Sequence, residues 1–124
     1  MKRILLVDDD ADFRLLLRET LESAGYHIET AAEGAGALNL YRRQVFDLVM
    51  TDLIMPGKEG LETIMELHGL NPGLKILAMS GGGCIEPESY LLMAQRLGAT
   101  KTLSKPFTAE EVLESVAGLL APCS

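Results

Sequence analysis

The sequence predicts an α/β fold in which a five-stranded parallel sheet lies between two layers of helices. Short aliphatic segments alternate five times with segments in which apolar residues recur every three or four positions, the spacing of an amphipathic helix. Strands joined by such helices run parallel, because each crossover returns the chain to the same edge of the sheet. The 124 residues, 48% hydrophobic and 23% charged, are typical of one globular domain and argue against a disordered chain.

The first half of the chain predicts two strand–helix units. The aliphatic segment at residues 4–7 is typical of a buried strand. Apolar residues then recur at helical spacing over residues 13–24, and Gly25 follows where a helix C-terminal cap belongs. The pattern predicts a weaker strand at residues 27–32 and a helix at residues 35–43.

The second half of the chain predicts three more units. Its strands are predicted at residues 48–51, 76–79 and 100–104. Helices are predicted at residues 61–68 and 87–97, and a final helix begins after Thr108 and has its apolar residues between 112 and 120. Pro87 suits the first turn of a helix, Gly98 suits a helix end, and Thr108 suits an N-cap. Because no linker, repeat or low-complexity segment interrupts the pattern, we expect residues 1–124 to form a single domain.

The charge balance excludes several classes of function. Lys and Arg number 11 against 18 Asp and Glu, a net charge of −7, whereas a nucleic-acid-binding protein normally carries a basic patch. No apolar segment approaches the roughly 20 residues that span a bilayer. Cys84 and Cys123 lack metal-ligand spacing. We therefore expect a cytoplasmic protein that binds neither nucleic acid nor membrane.

Polar residues follow four of the predicted strands. Asp8 to Asp10 come directly after the first strand, Asp52 ends the third, Ser80 ends the fourth, and Lys105 follows the fifth. Ligands of parallel α/β sheets bind beyond the carboxyl ends of the strands, so these groups are expected to converge. Converging carboxylates repel one another unless a cation intervenes, and Mg²⁺ suits carboxylate and phosphate oxygens. A carboxylate there could act as a nucleophile on a phosphoryl group.

Four segments resemble the receiver domains of two-component response regulators. These are residues 5–10, 47–57, 78–81 and 105–107, and the resemblance extends from residue 3 to about residue 120. It implies a flavodoxin-like sheet in the order 2-1-3-4-5 with five helices.

The resemblance also implies the roles of the acidic residues. Asp52 would be the phosphoacceptor, and Asp8 and Asp9 would belong to the acidic metal pocket. Asp9, Asp52 and the backbone carbonyl of Ile54 would bind Mg²⁺.

Further roles follow from the same resemblance. Ser80 would be the hydroxyl of the conformational switch, and Lys105 would bind the phosphoryl group. The peptide bond between Lys105 and Pro106 would be cis. Where the family commonly has a switch aromatic, this chain has Thr102. The signal is therefore expected to travel mainly through the loop at residues 81–86 and the helix that follows.

The implied function is that of a phosphorylation-controlled switch and not of an enzyme. A sensor histidine kinase or a histidine phosphotransfer protein would phosphorylate Asp52, and the signal would pass by protein–protein contact, with no output domain in the chain. The expected partner surface comprises the last two helices and the last strand, with Tyr90 a candidate contact. Two positions that commonly orient the hydrolytic water carry Ile54 and Gly82, which predicts a persistent phosphoryl group.

Two alternatives remain open on the sequence. The acidic residues Asp8 to Asp10, with Ser80 and Lys105, also resemble the motifs of haloacid-dehalogenase-type phosphohydrolases, but that class leaves Asp52 without a role. It also needs a further acidic pair, and Glu110 and Glu111 lie on a predicted helix. The second alternative is a degenerate receiver that acts only as an interaction module, which the complete set of pocket residues disfavours.

Smaller interpretations concern individual residues. Asp10 and Asp12 fit either the acidic site or a helix N-terminus, where the dipole favours negative charge. The methionines are expected to fill the core; they are Met50, Met55, Met65 and Met79.

Overall fold

The computed structural model describes residues 2–53, 60–80 and 87–121, with only the backbone given for residues 87–91. Strands and helices alternate through these residues in the predicted order. The strands are β1 (Arg3–Val7), β2 (His27–Ala31), β3 (Leu48–Asp52), β4 (Lys75–Ser80) and β5 (Lys101–Ser104). The helices are α1 (Ala11–Ser23), α2 (Gly34–Arg43), α3 (Gly60–Leu70), α4 (Pro87–Leu97) and α5 (Ala109–Leu120).

The five strands form one parallel sheet in the order β2-β1-β3-β4-β5, which confirms the predicted topology. Neighbouring strands end level with one another: Val7 of β1 pairs with Thr51 of β3, and Ser80 of β4 pairs with Ser104 of β5. Residues that follow these positions therefore share the carboxyl edge of the sheet.

Both faces of the sheet are covered by helices. Side chains alternate across a strand, so Leu5 and Val7 pack on one face with α2 and α3, while Ile4 and Leu6 pack on the other with α1 and α5. The residues of β1 after Arg3, and all of β3, are buried. Continuous aliphatic segments are required at such central strands, which is why the sequence predicted them correctly.

Local hydrogen bonds define where two of the helices begin. The Asp10 carboxylate is the N-cap of α1 and accepts from the backbone N–H groups of Asp12 and Phe13. Thr108 and Glu111 form a capping box at α5, each side chain bonding the other's backbone N–H. Of the two interpretations of Asp10 and Asp12, the structure therefore supports the helix N-terminus.

One prediction about the core is wrong. Met50 and Met79 are fully buried as expected, but Met65 is 52% exposed on the outer face of α3. The helix already places Leu61, Ile64 and Leu67 against the sheet, so no core position is left for Met65. Met55 lies outside the described residues.

No helix among the described residues combines the length and the hydrophobicity that a bilayer crossing requires.

Candidate functional site

Three carboxylates converge at the carboxyl edge of the sheet. Asp8 follows β1 directly and Asp52 is the last residue of β3, so the pairing of these two neighbouring strands places them side by side. One carboxylate oxygen each from Asp8, Asp9 and Asp52 lies within 4.8 Å of the others. Asp8 is fully buried and Asp52 nearly so, whereas Asp9 is exposed. The site thus has a buried floor and one acidic side chain open to solvent.

Lys105 joins the two buried carboxylates. Its Nζ donates to Asp8 Oδ2 at 2.8 Å and to Asp52 Oδ2 at 3.2 Å. Burial by itself would lower the pKa of Lys105, but the hydrogen bond to Asp8 and the charges of Asp52 and Asp8 outweigh burial and hold that pKa above its ordinary value. The side chain is therefore an ammonium at neutral pH.

The loop after β5 brings Lys105 to this position. The Lys105 backbone N–H donates to the carbonyl oxygen of Ser80 at 2.8 Å, which extends the pairing of β4 and β5 by one residue. The Lys105–Pro106 bond is cis, as the resemblance implied. The backbone thus directs the lysine from the edge strand of the sheet back over the ends of β1 and β3.

The donor set of the acidic group fits Mg²⁺. It consists of carboxylate oxygens, which are hard ligands, and the exposure of Asp9 leaves room for the waters that Mg²⁺ retains. Within the described part of the chain, Lys105 supplies one positive charge to three carboxylates, so a divalent cation would bring these groups closer to neutrality. The Ile54 carbonyl, the further ligand implied by the resemblance, lies outside the described residues.

The two residues that the resemblance placed at switch positions lie at different depths of the sheet. Ser80 ends β4 at the carboxyl edge and is buried. Thr102 pairs with Ala78, two residues before that edge, and is half-buried. The structure therefore brings Ser80 to the level of the acidic group and leaves Thr102 within the body of the sheet. Gly82 and the loop at residues 81–86, together with the side chain of Tyr90, lie outside the described part of the chain.

Sequence reasoning did not identify Gly60 as part of this site. The Gly60 N–H donates to the carbonyl oxygen of Leu53 at 3.0 Å, which attaches the first turn of α3 to the chain just after Asp52. A Cβ on Gly60 would lie 2.0 Å from the Asp52 carbonyl oxygen and 2.5 Å from the Leu53 Cα. Only glycine permits so close an approach of two backbone segments. A glycine at the start of a predicted helix was the available signal.

Two residues of α1 also contact the site without having been predicted to do so. Arg14 Nη1 donates to the Asp8 carbonyl oxygen at 2.6 Å. The ring of Phe13 lies beside Lys105, with Nζ 4.1 Å from the ring centroid. The helical periodicity of α1 indicated an apolar role for Phe13 but gave no indication of this contact.

The acidic pair considered for a phosphohydrolase has another role. Glu111 belongs to the capping box of α5, and Glu110 lies beside it in the first turn, where the helix dipole favours negative charge. Both residues are exposed. These contacts give the pair a structural explanation that needs no phosphohydrolase chemistry.

Comparison with known proteins gives concordant results. Residues 4–117 match the family described as the response regulator receiver domain. The response regulator receiver protein CpdR of Brucella abortus is 36% identical over 97% of this chain and 98% of its own length. The chemotaxis protein CheY of Thermotoga maritima is 32% identical over 93% of this chain and 94% of its own length.

Solved structures agree with the sequence relatives. The receiver domain of NtrX from Brucella abortus superposes with a TM-score of 0.90 at 29% identity, covering 97% of this chain and 99% of that domain. A CheY-like receiver domain protein from Methanospirillum hungatei superposes with a TM-score of 0.87 at 32% identity, covering 97% of this chain and 94% of that protein. The chain therefore belongs to the response regulator receiver domain family of two-component systems.

Proposed function

We propose that this protein is a phosphorylation-controlled switch that accepts a phosphoryl group on Asp52 with the help of Mg²⁺. The observation that carries the proposal is the Lys105 ammonium, which bridges Asp8 and Asp52 at 2.8 and 3.2 Å within a group of three carboxylates. Membership of a family of phosphoacceptor signalling domains supports it.

The proposed transfer needs one nucleophile. A carboxylate oxygen of Asp52 attacks the phosphorus of a phosphohistidine; the new O–P bond forms as the P–N bond breaks, and the imidazole leaves with the bonding electron pair. Magnesium bound by Asp9, Asp52 and the Ile54 carbonyl would supply positive charge beside the phosphoryl oxygens. The product is an acyl phosphate on Asp52.

The remaining groups bind and orient. Lys105 remains charged at neutral pH and donates to a phosphoryl oxygen in place of its bond to Asp52. Asp8 holds the lysine in reach, because its buried carboxylate accepts from both Lys105 Nζ and the Asp10 backbone N–H. The Ser80 hydroxyl donates to another phosphoryl oxygen and is thereby drawn towards Asp52.

The proposed partners follow from this chemistry. A sensor histidine kinase or histidine phosphotransfer protein supplies the phosphoryl group, and a downstream protein binds the surface formed by α4, β5 and α5. One relative, 30% identical, carries the name sporulation initiation phosphotransferase F, which agrees with phosphoryl exchange between proteins. One sheet with its two helical layers accounts for the described residues, which supports one receiver domain over residues 1–124. We place it in the cytoplasm.

Mass spectrometry after treatment with acetyl phosphate tests the acceptor. With Mg²⁺ the protein should gain one phosphoryl group, and Asp52→Asn should abolish that gain while preserving the fold. Asp47→Asn at the opposite edge of the sheet is the matched control and should be labelled normally. Wild-type labelling of Asp52→Asn would overturn the assignment.

The same preparation tests the two alternatives. Continuous phosphate release from a phosphomonoester would favour the hydrolase. A wild-type protein that acetyl phosphate with Mg²⁺ does not label would favour the degenerate receiver.

Amide hydrogen exchange with and without beryllofluoride tests the switch. We expect the largest change in residues 81–95, because three glycines lower the cost of moving the backbone after Ser80. A change confined to residues 100–107 would instead assign the signal to the segment of Thr102.

A further inference from the structure

The Lys105 ammonium has an aromatic neighbour in addition to its two carboxylates. Its Nζ lies 4.1 Å from the centroid of the Phe13 ring, well inside the range of about 6 Å for a cation–π contact. An ammonium has three N–H donors, and Asp8 and Asp52 accept from two directions. The face of the Phe13 ring covers another side of the ammonium, and it carries no oxygen or nitrogen atom that could accept a hydrogen bond.

Phe13 is itself held in place by one contact of its backbone and one contact of its ring. Its backbone N–H donates to Asp10 Oδ1 at 3.2 Å within the first turn of α1, and the Asp10 N–H donates to Asp8 Oδ1 at 2.9 Å. Its ring meets Phe107 edge to face, with centroids 5.7 Å apart and planes at 75°. Contacts therefore run in a closed circuit from Asp8 through Asp10 and Phe13 to Lys105, and back to Asp8.

We propose that Phe13 is a positioning residue for the phosphoryl-binding lysine, acting through a cation–π contact that Phe107 supports. This inference rests on the proposed function, since it concerns how Lys105 serves Asp52. A lysine side chain has many rotamers, and the ring favours those that direct Nζ to the carboxylates. The ring attracts the charge without a directional hydrogen bond. The ammonium can thus move from the Asp52 carboxylate to a phosphoryl oxygen while it keeps this contact.

Phosphorylation kinetics test the positioning role. With saturating Mg²⁺, we expect Phe13→Leu to lower the maximal rate of labelling by acetyl phosphate about fivefold, the effect of a partly desolvated cation–π contact. Phe13→Tyr keeps the aromatic face and should restore the rate. Leu16→Ala changes an exposed apolar residue of the same helix and should leave the rate unchanged. An unchanged maximal rate in Phe13→Leu overturns the proposal.

A double-mutant cycle on stability gives a readout that does not depend on phosphorylation. Urea unfolding without Mg²⁺ is measured for the wild type, Phe13→Leu, Lys105→Met and the double variant. We expect Phe13→Leu to shift the unfolding equilibrium less when Lys105 is already replaced. Equal shifts in both backgrounds would show that the ring acts only by packing, and would overturn the proposal whatever the rates.

The two failures remain distinguishable. If acetyl phosphate does not label the wild type at Asp52, the proposed function fails, and the cycle alone then decides whether Phe13 holds the Lys105 ammonium. If the wild type is labelled but the cycle is additive, the proposed function stands and the role of Phe13 fails.

Discussion

The two edges of the sheet contain the same kinds of side chain in different arrangements. At the amino edge, Asp47 Oδ2 accepts the backbone N–H of Arg3 at 2.8 Å. The Arg3 guanidinium lies 5.9 Å from the ring centroid of Phe46, and its Nη2 donates to Gln44 Oε1. Each of these contacts tethers the start of β1 to the segment before β3.

The carboxyl edge also places a cation beside an aromatic ring and an aspartate. Here, however, oxygens of three carboxylates lie within 4.8 Å of one another, and among the described residues Lys105 forms ion pairs with two of them. Carboxylates that lie this close repel one another, which lowers the free energy of unfolding instead of raising it. An excess of like charge at the ends of parallel strands is therefore the feature that separates the carboxyl edge from the amino edge.

Removing the lysine should have the largest effect on stability. Lys105→Met leaves the buried carboxylates of Asp8 and Asp52 without their shared ammonium, and we expect a loss of about 3 kcal/mol without Mg²⁺. Lys101→Met, at the exposed amino end of the same strand, should change stability by less than about 0.5 kcal/mol. Urea unfolding of both variants, with and without Mg²⁺, provides the measurement. Equal losses would contradict the contrast between the edges.

Filling the close approach at Gly60 should have the next largest effect. Gly60→Ala places a methyl group 2.0 Å from the Asp52 carbonyl oxygen, and we expect a loss of about 2 kcal/mol together with slower labelling of Asp52. Gly69→Ala is the matched control on the same helix, since its Cβ would meet nothing within 4 Å. There alanine should stabilise the helix by about 0.5–1 kcal/mol. Thermal unfolding that ranks the two variants in the opposite order would refute this account.

Neutralising Asp9 should weaken Mg²⁺ binding by about tenfold or more. Asp9→Asn removes one negative charge from a group of carboxylates that repel one another, so stability without metal should be unchanged or slightly raised. Asp10→Asn removes a neighbouring charge and keeps an N-cap side chain, so its Mg²⁺ affinity should stay near that of the wild type. Titrating the unfolding midpoint with Mg²⁺ measures both affinities. If both variants respond to Mg²⁺ like the wild type, Asp9 is not a ligand.

The smallest predicted effect is on the lifetime of the phosphoryl group. The side chain of Ile54 cannot hydrogen-bond a water, and we expect Ile54→Asn to accelerate loss of the phosphoryl group several-fold by orienting one. The rate is followed by mass spectrometry after the phosphoryl donor is removed. A wild type that already loses its phosphoryl group rapidly, at a rate that the substitution does not change, would reject the prediction.

The sequence predicted the strands, the helices and the polar residues at the strand ends, because these features depend on the order of residues along the chain. Aliphatic segments fixed the strands, and the ends of those strands identified Asp8, Asp52 and Lys105. The exposed position of Met65 and the approach of Gly60 to Asp52 were not predictable, because both depend on how a helix is rotated and placed against the sheet. The contact of Phe13 with Lys105 joins the first helix to the loop after the last strand, and periodicity within one helix carries no information about such a distant partner.

The position of β5 at the end of the sheet has a consequence for how the site arises during synthesis. A ribosome releases the chain from its N-terminus, so Asp8, Asp9 and Asp52 exist well before Lys105 is made. The nascent chain thus carries this acidic group before the Lys105 ammonium can join it, because Lys105 reaches the group only when β5 has docked beside β4. A chain interrupted before β5 would possess Asp52, the proposed phosphoacceptor, without the Lys105 ammonium that we propose to bind its phosphoryl group. On the proposed function, the chain therefore becomes competent for phosphorylation only after β5 has docked.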